Sequence, residues 1–333
     1  MLSKLTWKFL TVSTLLVGCN NFNFGAPRPE PLAGETATKE KKSTRGFSAD
    51  RALLEVRPDP SPMPILQAPY SEQSPILDGS GAERIWTRAP ILSLELATSS
   101  PTQDPSSPGV RLALRAIYTD TDIYLLAEWP DNTRNPLHQP WTFRIDQRDY
   151  TVGDQLEDRI SFLFPINGPF QPNQKPTQPS SWDIWTWGCG STQTSGYALD
   201  QIHQITPTHP AGNRAQSITL ADGSTLWTQR SSDQGRSVHR ISKKPVDYLG
   251  DTVPRYFASK PSGSGADVEA IGSWEAKEWT TEFRRKLSTK NNDDVVFDPS
   301  RSDFQACIHV TNGSASPPNR HSRVFLIRFG QRP

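Results

Sequence analysis

Apolar and polar positions alternate in short runs along most of this chain. Ile91 to Leu96 alternates, and so does Val110 to Tyr118. A period of two places successive side chains on opposite faces of a strand. After Val110–Tyr118 comes the turn pair Thr121-Asp122, then the apolar run Ile123 to Trp129, which predicts a hairpin. Further strands are predicted at Arg159 to Phe164, Ser217 to Leu220, Ala266 to Trp274, Trp279 to Leu287 and Phe304 to Val310. The last is His321 to Phe329. Helical periodicity is weak; one short candidate covers Ile85 to Arg88. The pattern predicts an all-β protein, a β-sandwich with long loops and few short helices. Gly188 to Pro261 is polar, loop-rich and the least readable stretch. Loops this long in a compact domain are often functional.

The N-terminus follows another pattern. Lys4 and Lys8 precede the apolar stretch Phe9 to Val17, which is too short to span a bilayer as a helix. A basic region, an apolar region and small residues before a cut site make a secretory signal over residues 1–18. Residues 19–70 are poor in large apolar side chains and rich in Pro, Ala, Gly, Thr, Lys and Glu. Such a stretch cannot bury enough apolar surface to offset its ordering entropy, and reads as a flexible tether of roughly 40 Å mean reach. The folded domain is expected over residues 71–333.

Composition narrows the function. The formal net charge is +1 and no basic stripe stands out, which argues against a nucleic-acid partner. The chain has 30 prolines and 10 tryptophans, which disfavours a helical fold. Among its three cysteines, Cys189 and Cys307 either form a disulfide in an oxidising compartment or stand as separate buried thiols. Neither their spacing nor any Cys-x-x-Cys-His run makes a zinc or c-type haem site. No nucleophile elbow, His-Glu-x-x-His or phosphate loop occurs, so no catalytic residue is assigned and an independent enzyme is not expected. The carboxylate pairs Glu157-Asp158 and Asp293-Asp294 read as turn and pairing residues rather than a calcium site, because neighbours on a strand point to opposite faces.

Leu16-Val17-Gly18-Cys19 resembles the lipobox of bacterial lipoproteins. The resemblance implies a lipid on Cys19, membrane attachment through it, and a periplasm-facing place in the cell envelope. Asn20 after the cysteine favours the outer membrane.

A series of local signatures then runs in order. It opens with Asp78-Gly79-Ser80-Gly81, Trp86-Thr87-Arg88-Ala89, Glu128-Trp129-Pro130-Asp131 and His138-Gln139-Pro140-Trp141. Gly153-Asp154, Trp182-Asp183-Ile184-Trp185-Thr186-Trp187 and Gly196-Tyr197 follow, then Gly265-Ala266-Asp267 and Trp279 to Leu287. The series resembles the haem-binding domain of the ethylbenzene dehydrogenase γ subunit. That family includes haem b subunits of dimethyl-sulfoxide-reductase-type molybdoenzymes. The resemblance implies a β-sandwich similar to family 9 carbohydrate-binding modules. It also implies a b-type haem that passes single electrons, and a periplasmic oxidoreductase as partner.

The axial methionine and lysine of characterised γ subunits have no counterpart here. Met1 leaves with the signal, Met63 falls in the tether, and Thr186 and Gly188 stand where ligand types usually occur. Among six histidines, His138 and His321 match recurrent family histidines and are the axial candidates. Trp141, Trp185, Trp187 and Tyr197 are candidates for the pocket wall. The alternative is a non-redox envelope module of the same fold that has lost haem and stacks a sugar on those aromatics. No metal other than haem iron is expected.

Overall fold

The computed structural model describes residues 62–98, 110–167, 178–210, 215–219, 225–232, 234–301, 303–313 and 319–332. The signal, Cys19 and most of the expected tether lie outside them.

Twenty-one strands and three short 3-10 turns make up the described chain. The first strands are β1 (Ile65–Ala68), β2 (Leu92–Thr98), β3 (Val110–Tyr118), β4 (Asp122–Pro130), β5 (Trp141–Arg144), β6 (Asp149–Val152) and β7 (Arg159–Pro165). Next are β8 (Ser180–Gly188), β9 (Leu199–Thr206), β10 (Gln216–Thr219), β11 (Thr225–Ser232), β12 (Gly235–Arg236), β13 (His239–Ile241) and β14 (Thr252–Val253). The last are β15 (Tyr256–Ala258), β16 (Ser262–Gly263), β17 (Val268–Glu275), β18 (Glu278–Lys286), β19 (Phe304–Thr311), β20 (Asn319–His321) and β21 (Phe325–Phe329).

The strands form an antiparallel sandwich. One layer runs β2-β3-β4-β18-β17, and the other runs β10-β11-β9-β8-β7-β19. β20 joins the layers at one edge by pairing with both β19 and β2. The β3–β4 hairpin forms where alternation and the turn pair place it, with Tyr118 opposite Ile123. The one helical candidate is a 3-10 turn, Arg84–Arg88.

Two expectations change. The domain begins before residue 71: Ile65–Ala68, expected in the tether, is β1, paired in parallel with β21. Leu66 and Ala68 are buried there. Prolines on both sides of this four-residue run disguise it as linker. Predicted strand His321–Phe329 divides in two, because Ser322 donates its backbone N–H to Ile308 O and turns the chain between β20 and β21.

The core lies between the layers. Alternation on β18 sends Trp279, Thr281, Phe283 and Arg285 inward, while Glu282 turns outward. Phe283 meets Phe162 of β7 edge-on at 5.0 Å, and Trp279 meets Trp187 of β8 at 5.1 Å. Phe164, Trp185 and Phe297 close the same aromatic interior. A second apolar cluster sits on the outer face of the β2–β17 layer under the 3-10 turn, where Trp86 covers Ile117, Tyr124 and Leu126. Glu282 fixes that turn, accepting from Trp86 Nε1 at 3.0 Å and from the backbone of Gly79 at 2.7 Å.

Candidate ligand site

A buried polar cluster forms at the start of β7. The loop 131–140 brings His138 to it. Asp158 staples that loop: its Oδ2 accepts from Asn135 N at 2.6 Å and its Oδ1 from Gly313 N at 2.5 Å. Burial pushes the Asp158 carboxyl up to about 6, against these hydrogen bonds. Glu157 is fully buried and accepts from Gly190 N, Ser191 N and Ser191 Oγ at 2.6–2.8 Å. It also pairs with Arg159 Nη2 at 2.9 Å. The close approach of Glu157 explains Gly188, where a Cβ would lie 2.5 Å from Glu157 Oε1.

Arg159 Nη2 lies 2.8 Å from His138 Nδ1 and 3.1 Å from Nε2. Burial, then Arg159, His239 and Arg255, hold His138 well below the usual imidazole range. It is therefore neutral at pH 7.

The β13–β15 hairpin, which pairs His239 with Ala258 and Ile241 with Tyr256, completes the cluster. The Tyr256 ring lies 4.8 Å from the His138 ring and 5.0 Å from the His239 ring. Burial also lowers His239 and raises Tyr256. The small sheet β14-β5-β6 sets the neighbouring wall. Val253 pairs with Trp141, which puts Arg255 5.3 Å above the Trp141 ring. Trp141 Nε1 donates to Ser242 Oγ at 3.0 Å. Gln139, next to His138, has a φ of 41°, a left-handed conformation that strains a non-glycine residue. His239 Nδ1 and Tyr256 Oη are buried without a hydrogen-bond partner. Orphaned polar atoms are rare in folded interiors and call for a physical account.

The structure gathers some of the residues expected at a pocket and separates others. His138 and Trp141 belong to this cluster. Position 321 lies on β20, opposite His309 and Ala97, outside it. Trp185 and Trp187 point into the sandwich interior with no exposure, so they pack the core instead of lining a pocket. Trp187 Nε1 is spent on Gln193 Oε1 at 2.7 Å. Tyr197 forms a lone bridge to Glu269. The Cys189–Cys307 pairing does not form: Cys189 is a free, buried thiol whose Sγ donates to Asn135 O at 3.0 Å. The two cysteines belong to different elements, the turn after β8 and strand β19.

The sequence places Arg159 at the start of a strand and His239 in the unreadable stretch, and marks neither of them, nor Arg255 or Tyr256, as a site residue. Three of them lie in the polar stretch where periodicity carries no signal. Their one local mark was the apolar pair Tyr256-Phe257 beside Arg255.

Among the described residues, two groups of acids elsewhere come within reach of a single ion: Asp78, Glu83 and Glu282, and Asp183, Asp200 and Asp294. Glu282 is engaged by Trp86 and the Gly79 backbone. Arg285 stands against Asp183 and Asp294.

The class of molecule is therefore an all-β sandwich with a buried imidazole, phenol and guanidinium cluster at the start of β7. The sequence profile of ethylbenzene dehydrogenase matches residues 83–314, and the chain belongs to that family. Among solved structures, it is similar to a family 9 carbohydrate-binding module from Caldicellulosiruptor kristjanssonii in complex with cellotriose. That likeness has 11% identity and a TM-score of 0.38, and covers 81% of this chain and 95% of that one. The glucose complex of such a module from the same organism gives 12% identity, a TM-score of 0.37, and 80% and 97% coverage. No curated protein matches the chain.

Proposed function

We propose that this protein is an exported, lipid-anchored carrier of a b-type haem that passes single electrons beside a periplasmic oxidoreductase. The reading takes lipid attachment at Cys19 and placement at the outer membrane from the sequence. It takes the cofactor from the family. The observation that carries the site is the half-buried His239 imidazole, neutral at pH 7, whose buried Nδ1 is uncommitted beside His138 and Tyr256.

The donor set fits the cofactor in two respects. Neutral imidazole is an iron ligand, and two guanidiniums against the single carboxylate of Glu157 suit an anionic macrocycle. His239 is the favoured donor, because both ring nitrogens of His138 face Arg159. Arg159 would fix the orientation of His138 and supply positive charge. The Tyr256 and Trp141 rings would exclude water. When bound, the haem supplies a one-electron couple at its iron.

The sugar-binding alternative has less support. Trp185 and Trp187, its stacking platform, are interior.

The test is an absorption spectrum of the exported protein purified with haem supplied. A Soret band that sharpens and shifts with dithionite, and is lost in His239→Ala, is expected. His138→Ala and His321→Ala run in parallel assign any further ligand. A folded, colourless protein that takes up no hemin sinks the reading.

A further inference from the structure

Arg255 is the second guanidinium of the cluster and differs from Arg159 in having no carboxylate partner among the described residues. It is 5% exposed. Its one side-chain hydrogen bond among the described residues is long, 3.3 Å from Nη1 to Gln139 Oε1, and its Nε is buried without an acceptor. The guanidinium carbon lies 5.3 Å from the Trp141 ring and 5.4 Å from the Tyr256 ring. Two aromatic faces attract a cation. They offer no acceptor in the plane of the fork. A buried charge held this way lacks most of the hydrogen bonding that offsets its desolvation.

The missing partner must have certain properties. It accepts from Arg255 Nε, and it stands beside Tyr256, whose buried Oη also lacks a partner. It is anionic, since Arg159 already takes the carboxylate of Glu157. A carboxylate has two acceptor oxygens and matches the guanidinium fork, with lone pairs left for a phenol donor. The strained Gln139 backbone, which carries the one side chain bonded to Arg255, belongs to the same construction.

We infer that Arg255 and Tyr256 form a subsite for a carboxylate group of the ligand. The carrier of that carboxylate rests on the haem reading; the subsite does not. A porphyrin side chain and a free organic acid offer the same chemistry, and the experiment separates them.

The full chain is titrated with hemin, with hemin dimethyl ester, whose carboxylates are blocked, and with sodium propionate. Absorption follows the porphyrins and thermal shift follows propionate. Arg255→Gln and Tyr256→Phe are compared with wild type after circular dichroism has verified their fold. Hemin is expected to bind at least tenfold tighter than its dimethyl ester. Arg255→Gln should erase that difference by weakening hemin alone, and Tyr256→Phe should weaken hemin about threefold. Tyr256→Phe keeps the ring, so it carries the test if Arg255→Gln does not fold. No hemin uptake, with propionate raising the melting temperature of wild type but not of the variants, keeps the subsite and removes the haem. Equal binding of hemin and its ester without a propionate shift overturns the subsite and leaves the haem. No response to any probe overturns both.

Discussion

Arg285 and Asp183 face each other inside the sandwich, Nη2 to Oδ2 3.4 Å apart, and neither side chain reaches solvent. Asp294 lies 3.1 Å from the same nitrogen, and Arg285 Nη1 donates to Val295 O at 2.8 Å. Asp183 Oδ2 in turn accepts from Val295 N at 3.0 Å. One inward cation on β18 thus ties β8 to the segment that carries Phe297 into the core, with the rings of Trp185 and Phe297 against its guanidinium.

Removing that cation should be costly. Arg285→Met leaves Asp183 and Asp294 buried without it, and breaking such a group costs about 3–5 kcal/mol. The loss should be larger at pH 7 than at pH 5, because burial raises Asp183 to about 6 and it protonates below that. Urea unfolding of the variant at both pH values checks this, and equal losses would contradict it.

The carboxyls that burial raises should lose their contribution to stability as pH rises from about 4 to above 6, while His138 and His239, lowered by burial, contribute in the opposite direction. Asp158 titrates at about 6 in the fold, and burial also raises Asp183, Asp131 and Glu282. A raised carboxyl stabilises the fold fully below its unfolded pKa of about 4, and that contribution disappears as pH passes its folded pKa. The urea midpoint of wild type relative to Asp158→Asn should therefore fall between pH 4.5 and pH 7, since the imidazoles are common to both.

Two glycines should behave in opposite ways on substitution by alanine. A Cβ at Gly190 would lie 1.7 Å from Pro136 O, within the loop that carries His138. Gly190→Ala should cost more than about 3 kcal/mol or prevent folding, since backbone must move. At Gly196 nothing lies within 4 Å, and the strain comes from a φ of +77° alone. Gly196→Ala should cost about 1 kcal/mol. Thermal melts of the pair decide it.

Trp185→Ala should act on stability and leave the ligand cluster alone. The side chain is fully buried against Phe164 and Phe297, and such truncations cost about 3–5 kcal/mol. A variant that stays stable but loses its ligand would return Trp185 to the pocket.

The Cys189 thiol should be silent in the native protein. Burial, with Glu157 and Asp158 nearby, pushes its pKa strongly upward, so almost no thiolate exists at pH 8. A disulfide-exchange reagent should modify Cys189 only after denaturation. Fast native labelling, mapped by peptide mass, would show that the loop around Asn135 opens.

The class of fold was legible in local runs of side chains. β3 and β18 show it by alternation along each run, and β4 by an unbroken apolar run that follows a turn pair. The ordered motifs of Trp86, His138, Trp187 and Phe283 likewise revealed the family. The remainder depends on partners far apart in the chain. β1 is legible as a strand only once β21 lies beside it. Trp185 and Trp187 have the composition of a binding wall, and their direction is set by the register of β8 against β7 and by the layer facing them. Arg255, Tyr256 and His239 come from a polar stretch with no period. They become a site because β14 pairs with β5 and the β13–β15 hairpin settles against His138. Burial and electrostatic environment belong to the assembled chain, so a guanidinium without a partner is visible only when its neighbours are in place.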